Sequence, residues 1–260
     1  MMFTRQTLAE HLAGFGLVSG DAVLVHAGLR SIGPILGGPD SLIDALTDVV
    51  GPSGTILGYC DWQSESGAYD DATLRRHVPP FDPERSRSIR DNGAFAELLR
   101  TTPGARRSAN PGASCAALGG QAAWFTANHA LDYGYGLRSP FGKLVASGGK
   151  TLMVGAPLET MTLLHHAEHL AKLTGKRVLR YQAPILAEGS TIWRWFEEFD
   201  TGRPIVSGLA EDYFNDVVED FLATGQGRRG LVGYAPSVLA EAAPMVDFAV
   251  NWLEQRFGPA

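Results

Sequence analysis

The stretch from Ala22 to Tyr59 leaves this chain few folds to choose from. AVLVHA (Ala22 to Ala27) is a short apolar run after a Gly20-Asp21 turn, the pattern of a buried strand. The glycine-rich GPILGG follows, and then PDSLIDALTDVVG, where Pro39 and Asp40 start a helix and Gly51 ends it. Pro52-Ser53-Gly54 turns into TILGYC, a second strand. A strand-helix-strand order calls for a crossover, which lays a helix over a parallel or mixed sheet. Upstream, Thr4 to Phe15 carries Leu8, Leu12 and Phe15 on one helical stripe.

The alternation resumes downstream with NGAFAELLRTTPG, a helix ending near Pro103, and with the strand SCAALGG. TLMV (Thr151 to Val154) reads as a buried strand, Ile185-Leu186 and TIWRWF as strand-like, and Tyr213 to Thr224 as a helix. RRGLVGYAPSVLAE is broken by glycines, and a closing helix spans Met245 to Arg256. No linker separates two autonomous halves. The expected fold is α/β: a single domain over 1–260 with a central mixed sheet flanked by helices. Asp61 to Asn92 stands apart, being polar, holding Pro79, Pro80 and Pro83, and showing weak helical signal. A loop of that length inside a compact domain is usually functional, so 61–92 is expected on the substrate side.

Composition narrows the class. Hydrophobic residues are 45% and charged residues 19%, which suits a packed core. The net charge of −6 lacks the basic surplus of a nucleic-acid binder, and it suits a cationic small-molecule substrate. No apolar run approaches the ~20 residues of a membrane span, and the start of the chain lacks a secretory signal's apolar core. Cys60 and Cys115 are the only cysteines, without C-x-x-C spacing, as expected for buried free thiols in a cytoplasmic protein. The expected assembly is a monomer or dimer.

Beyond Val154, a Gly-Ala-Pro turn leads into a helix carrying His165, His166, Glu168 and His169. Residues three and four apart share a helical face, so Glu168 and His169 sit beside His165. A carboxylate next to an imidazole raises its basicity and fixes its tautomer, which suits a general base near neutral pH. The letters HHAEH also spell the H-x-x-E-H pattern of zinc peptidases, with Glu241 or Asp247 as a third ligand. His166 points about 100° away from His165 and is expected to be structural.

Several ordered blocks decide between these chemistries. VHAGLRSIGPILGGPDSLIDALTDVVGPSGTILGY resembles the opening of the aminoglycoside 3-N-acetyltransferases of the antibiotic acetyltransferase fold, which is not the GNAT fold. PPFDPERS, PGARRSANPGAS, LRSPFGKL, GKTLMVGAPLETMTLLHHAEHLA, the EEFDTG segment and DFAVNWLEQRFG match later blocks in order. The resemblance implies acetyl-CoA as co-substrate, no metal, and the 3-amine of a 2-deoxystreptamine antibiotic as acceptor. A same-fold enzyme acting on another amine is the alternative.

It also implies catalytic roles for His165 and Glu168. The family's His-Ser-Ser-Leu-Arg-Ser block along the CoA is here His26, Ala27, Gly28, Leu29, Arg30 and Ser31, without the two central hydroxyls. Backbone amides are left to serve there, Arg30 helps with phosphate, and Ser108 joins this donor side as a candidate oxyanion hydroxyl. The family's Arg-Ser-x-His-Pro block ends here in Asn110-Pro111, which retains polarity without acid-base ability. A polycationic acceptor calls for carboxylates and aromatic walls. Asp61 with Trp62, Asn110, and the Trp193, Glu197, Glu198 and Asp200 group are the candidates, with Tyr69, Asp70 and Asp71 in the long loop.

Overall fold

Val23, Val25, Ile56, Leu152 and Val154 belong to one buried cluster, and Leu24, Leu57 and Met153 to another. This period-two alternation makes a sheet with a core on each face. The computed structural model describes residues 2–62 and 71–259. Its strands are β1 (Ala22–Ala27), β2 (Thr55–Tyr59), β3 (Arg106–Arg107), β4 (Cys115–Gly119), β5 (Lys150–Val154), β8 (Arg228–Val232) and β9 (Ala235–Glu241), beside a separate hairpin of β6 (Val178–Ala187) and β7 (Ser190–Phe199). The sheet runs β3-β4-β2-β1-β5-β9-β8. β1 pairs in parallel with β2 and with β5, for example Leu24 with both Leu57 and Thr151. All other pairs are antiparallel, so the sheet is mixed.

Helices α1 (Arg5–Phe15), α2 (Asp40–Val50) and α4 (Gly93–Thr101) bury Leu12, Leu46 and Leu99 against one face. On the other face lie α5 (Ala122–Thr126), α6 (Pro140–Ala146), α7 (Leu163–Leu170), α8 (Tyr213–Ala223) and α9 (Ala242–Phe257). Each fully buried leucine or phenylalanine there stabilises the fold by about 1.5–3 kcal/mol. Among the described residues, no helix is long and apolar enough to cross a membrane.

The β6–β7 hairpin pairs over ten residues, from Val178–Phe199 to Ala187–Ser190. Its two-residue turn has φ of 50° at Glu188 and 76° at Gly189, the doubly left-handed geometry that matches strand twist. Ala183 and Phe196 are buried, while Trp195 stays 63% exposed. Part of the long excursion packs on this hairpin. The Phe81 amide donates to the Pro184 carbonyl, and the Phe81 carbonyl accepts from Leu186. A short helix, α3 (Ala72–Arg75), brings Arg75 over the Trp193 ring. Asp71 caps α3 by accepting from the Thr73 and Leu74 amides, whereas Tyr69 and Asp70 lie outside the described residues.

Arg107 ties the excursion to the sheet. Its guanidinium donates to the Ser86 carbonyl, the Cys60 carbonyl and the Ser114 hydroxyl, above the Phe81 ring. Arg107→Met keeps much of the stem but removes all three bonds, leaving the Ser86 carbonyl without this donor while Cys60 and Ser114 keep only each other, at about 1–3 kcal/mol for the group. At about 2–4 °C per kcal/mol, a drop in Tm of roughly 3–10 °C is expected on thermal melting. An unchanged Tm would show that the excursion is held elsewhere.

Candidate active site

The last turn before α7 carries the chain from the carboxyl end of β5 to the rim of the sheet. Leu163, Leu164 and Ala167 anchor α7 in the core, and this leaves His165 on the open side. The Nδ1 atom of His165 lies 2.5 Å from one carboxylate oxygen of Glu168. The other carboxylate oxygen accepts from the Tyr213 hydroxyl, also at 2.5 Å. Glu168 is 2% exposed, and two partners offset the cost of burying its charge. Burial and the Glu168 charge push the Tyr213 phenol far above its ordinary pKa, so Tyr213 holds its proton and donates it. The imidazole packs between the rings of Tyr135 and Phe214, each centroid 5.0 Å away. With Nδ1–H donating to the carboxylate, Nε2 carries the lone pair.

Two cavities meet at this ring, and a third adjoins the second. The first, of about 270 Å³, is lined by His26, Ala27 and Gly28 after β1, Tyr59 at the end of β2, and Pro157 after β5. It lies at the carboxyl ends of the parallel strands, where the order reverses from β2 on one side of β1 to β5 on the other. Ligands of open α/β sheets bind at such a switch point. The second, of about 260 Å³, has Glu159, Glu168, Glu211, Arg203 and Phe214 in its walls. His165 and Glu159 belong to both. A third, of about 230 Å³, shares Thr201 and Gly202 with the second and adds Tyr181, Glu198 and Asp200.

The other residues singled out in the sequence fall in several places. Gly28 sits where an added Cβ would lie 2.4 Å from the Gly155 carbonyl oxygen, so backbone alone fits. Leu29 packs against the core, and the Ser31 hydroxyl donates to the Gly28 carbonyl at 2.6 Å. Arg30 is exposed and forms no ion pair among the described residues. Ser108 corrects an expectation. It is 1% exposed, bonds the Nδ1 of His129 at 2.8 Å and accepts from the Cys115 amide, which leaves no open hydroxyl for a ligand. Asn110 lines the third cavity while its side chain is engaged with the fold: its amide donates to the Ala130 and Leu131 carbonyls, and its oxygen accepts from Gly112 and Ala113.

Asp61 and Trp62 stand behind the cleft rather than in its walls. The Asp61 carboxylate accepts from the Asn92 side chain at 2.5 Å, and Trp62 packs on Phe81. Burial raises the Asp61 carboxyl to about 6. Glu197 and Glu198, adjacent on β7, face opposite ways: Glu197 pairs with Arg180 and Tyr133, whereas Glu198 turns inward. Burial raises Glu198 to about 7, against the hydrogen bonds it accepts from the Phe199 and Gly134 amides. Asp200 lies 3.5 Å from Arg177. Tyr213, Glu159, Glu211 and Phe214 were not singled out in the sequence. Tyr213 reaches Glu168 across 45 residues, a contact that no local pattern announces.

Comparison with known proteins decides the family. The family described as aminoglycoside 3-N-acetyltransferase matches residues 24–254. Aminoglycoside N(3)-acetyltransferase III of Pseudomonas aeruginosa is 46% identical over 98% of this chain and 95% of its own. Aminoglycoside N(3)-acetyltransferase VII of Streptomyces paromomycinus is 44% identical, over 98% and 93%. This chain belongs to the aminoglycoside 3-N-acetyltransferase family. Among solved members, AAC-IIIb in a binary complex with CoASH superposes with a TM-score of 0.98 at 58% identity, covering 100% of both chains. AAC-VIa bound to sisomicin superposes with a TM-score of 0.93 at 36% identity, again covering 100% of both.

In this acetyltransferase the H-x-x-E-H letters do not converge. His165 and Glu168 bond each other, His166 bonds the Tyr135 carbonyl at 2.6 Å, and His169 packs against Tyr133 and Phe199. Among the described residues no metal-holding group of His, Cys, Asp or Glu is gathered.

The raised Glu198 carboxyl gives a stability signature. Its folded pKa of about 7 exceeds the ordinary 4.5, so its contribution is fully present below about pH 4.5 and is lost as pH rises through 7. At about 1.4 kcal/mol per unit, wild type should lose about 2–3 kcal/mol from this group between pH 4.5 and 8. Glu198→Gln should remove that loss when unfolding free energies are compared at pH 5 and pH 8. Equal slopes in the two proteins would place Glu198 in water.

Proposed function

We propose that this cleft transfers the acetyl group of acetyl-CoA to the 3-amine of a 2-deoxystreptamine aminoglycoside, with His165 as general base. The observation that carries the reading is the position of His165, shared by two cavities and held through Nδ1 by a buried carboxylate. The cavity at the ends of β1, β2 and β5 takes the donor. Ala27 and Gly28 line it, and Gly28 leaves backbone without a side chain for the thioester arm to pass. The joined second and third cavities take the acceptor. Glu159, Glu211 and Asp200 supply the negative field that draws in a polycation, and Glu198 ionises fully once an ammonium group lies beside it. Asp200 exchanges Arg177 for an ammonium group of the antibiotic as it binds.

The amine reaches the site largely protonated, and it first releases one proton to water to free the lone pair that attacks. Nε2 of His165 accepts a proton as the new C–N bond forms, and Glu168 stabilises the resulting imidazolium. The proton then passes to the departing sulfur of CoA. Tyr213, donating to the far oxygen of Glu168, fixes the carboxylate so that the imidazole keeps one tautomer. Cys60 and Cys115 are free and buried, which accords with a cytoplasmic enzyme using the cytoplasmic acetyl-CoA pool.

His165→Gln should lower kcat for CoA release by about 10²- to 10⁴-fold, with acetyl-CoA affinity nearly unchanged. The check is steady-state kinetics with several aminoglycosides, each substrate varied in turn. Wild-type turnover in the variant would remove His165 from the mechanism, and turnover with other amines alone would move the activity to a different acceptor.

A further inference from the structure

The donor cavity holds a second imidazole that the reaction so far leaves idle. His26 is the penultimate residue of β1 and lines the same cavity as His165. Burial and the neighbouring His165 push its pKa down to about 4, so the ring is neutral at pH 7. A neutral imidazole still carries one N–H. Nearby histidines spend theirs on the protein: His129 donates to the Gly134 carbonyl while its Nδ1 accepts from the Ser108 hydroxyl, and His166 donates to the Tyr135 carbonyl. Among the described residues neither nitrogen of His26 has a hydrogen-bond partner, and Nε2 is enclosed. An enclosed N–H without an acceptor is costlier than an enclosed lone pair. The proton therefore sits on Nδ1, the nitrogen that is not enclosed, and this donor awaits an acceptor from outside the chain.

We propose that His26 is a catalytic residue, whose Nδ1–H donates to the thioester carbonyl oxygen of acetyl-CoA and stabilises the negative charge that oxygen takes on. The assignment rests on reading the cleft as the acetyl-transfer site. As the amine lone pair forms the C–N bond, the carbonyl π pair moves onto oxygen and the His26 hydrogen bond shortens. Its proton stays on nitrogen. When the pair returns, the C–S bond breaks and the thiolate takes the proton held by His165. A neutral imidazole suits this part because it donates without giving up its proton, whereas an imidazolium would release one. Asp91 and Glu159 also line the cavity, and carboxylates there would oppose an oxyanion, so a dedicated donor has a repulsion to overcome. The Tyr59 hydroxyl is already shared with the Tyr135 hydroxyl, at 2.7 Å, and with the Gly112 carbonyl.

The test is the infrared carbonyl band of acetyl-CoA, labelled with ¹³C at the carbonyl and bound without acceptor, together with kcat. In wild type the band should lie below its frequency in water. His26→Leu should return it toward the solution value and lower kcat by about 10²- to 10³-fold. His26→Asn, whose amide nitrogen replaces Nδ1, should recover part of both. An unshifted band in wild type, a shifted band in a folded His26→Leu, or no recovery by Asn relative to Leu would each overturn the proposal. His165→Gln should leave the band shifted while turnover falls. Normal turnover in that variant beside a normal His26 response would sink the reading of His165 and leave this one standing.

Discussion

The site depends on one buried carboxylate. Glu168 lies at the end of α7, and a charge in that position is tolerable only while both oxygens are hydrogen-bonded. One partner, His165, is a single turn away on the same helix, and the other, Tyr213, opens α8. The pair of bonds couples two helices, and it also settles which nitrogen of His165 faces the substrates. Removing either partner leaves charge uncompensated in the interior, so stability and proton transfer are linked through the same group.

The sheet explains why this group stands where it does. β1 lies between two parallel neighbours, and the chain reaches β5 only after completing β2, β4 and β3 on the other side. The loops leaving β1 and β5 therefore diverge, and a cleft opens between them. Gly28 and Gly155 cross so closely that a side chain on Gly28 would strike the Gly155 carbonyl, which makes backbone the wall of the donor cavity. The acceptor side is built differently, from α8, the loop after β7 and the inward edge of the hairpin. On the proposed reading, donor and acceptor approach from separate structural layers and meet at His165.

What the sequence made legible follows the range of the interactions. The β1-α2-β2 unit could be read because its apolar spacing and glycine punctuation are local, and so could His165 with Glu168 three residues on. The β6–β7 hairpin was visible only as Ile185-Leu186 and TIWRWF. Pro184 interrupts one strand, and its outer face mixes Arg180, Gln182 and Trp195 without clean alternation. Ser108 looked available because its bond to His129 spans 21 residues. Asn110 does reach the wall of the third cavity, but its bonds to the loop at Ala130 and Leu131 could not be read locally. Glu197 and Glu198 could not be told apart until β7 assigned them to opposite faces.

The central claim is that the Tyr213–Glu168 pair holds His165 through Nδ1 and leaves Nε2 facing the cleft. Nitrogen-15 NMR of histidine-labelled enzyme at pH 7.5, with His165 assigned through the His165→Gln variant, reads this directly. The account predicts a protonated Nδ1 whose proton is shifted far downfield by the short bond to Glu168, and an Nε2 with the shift of a bare lone pair. In Tyr213→Phe the Nδ1 proton should move upfield as the carboxylate loosens. A His165 protonated on Nε2 instead, or an even mixture of tautomers, would contradict the account.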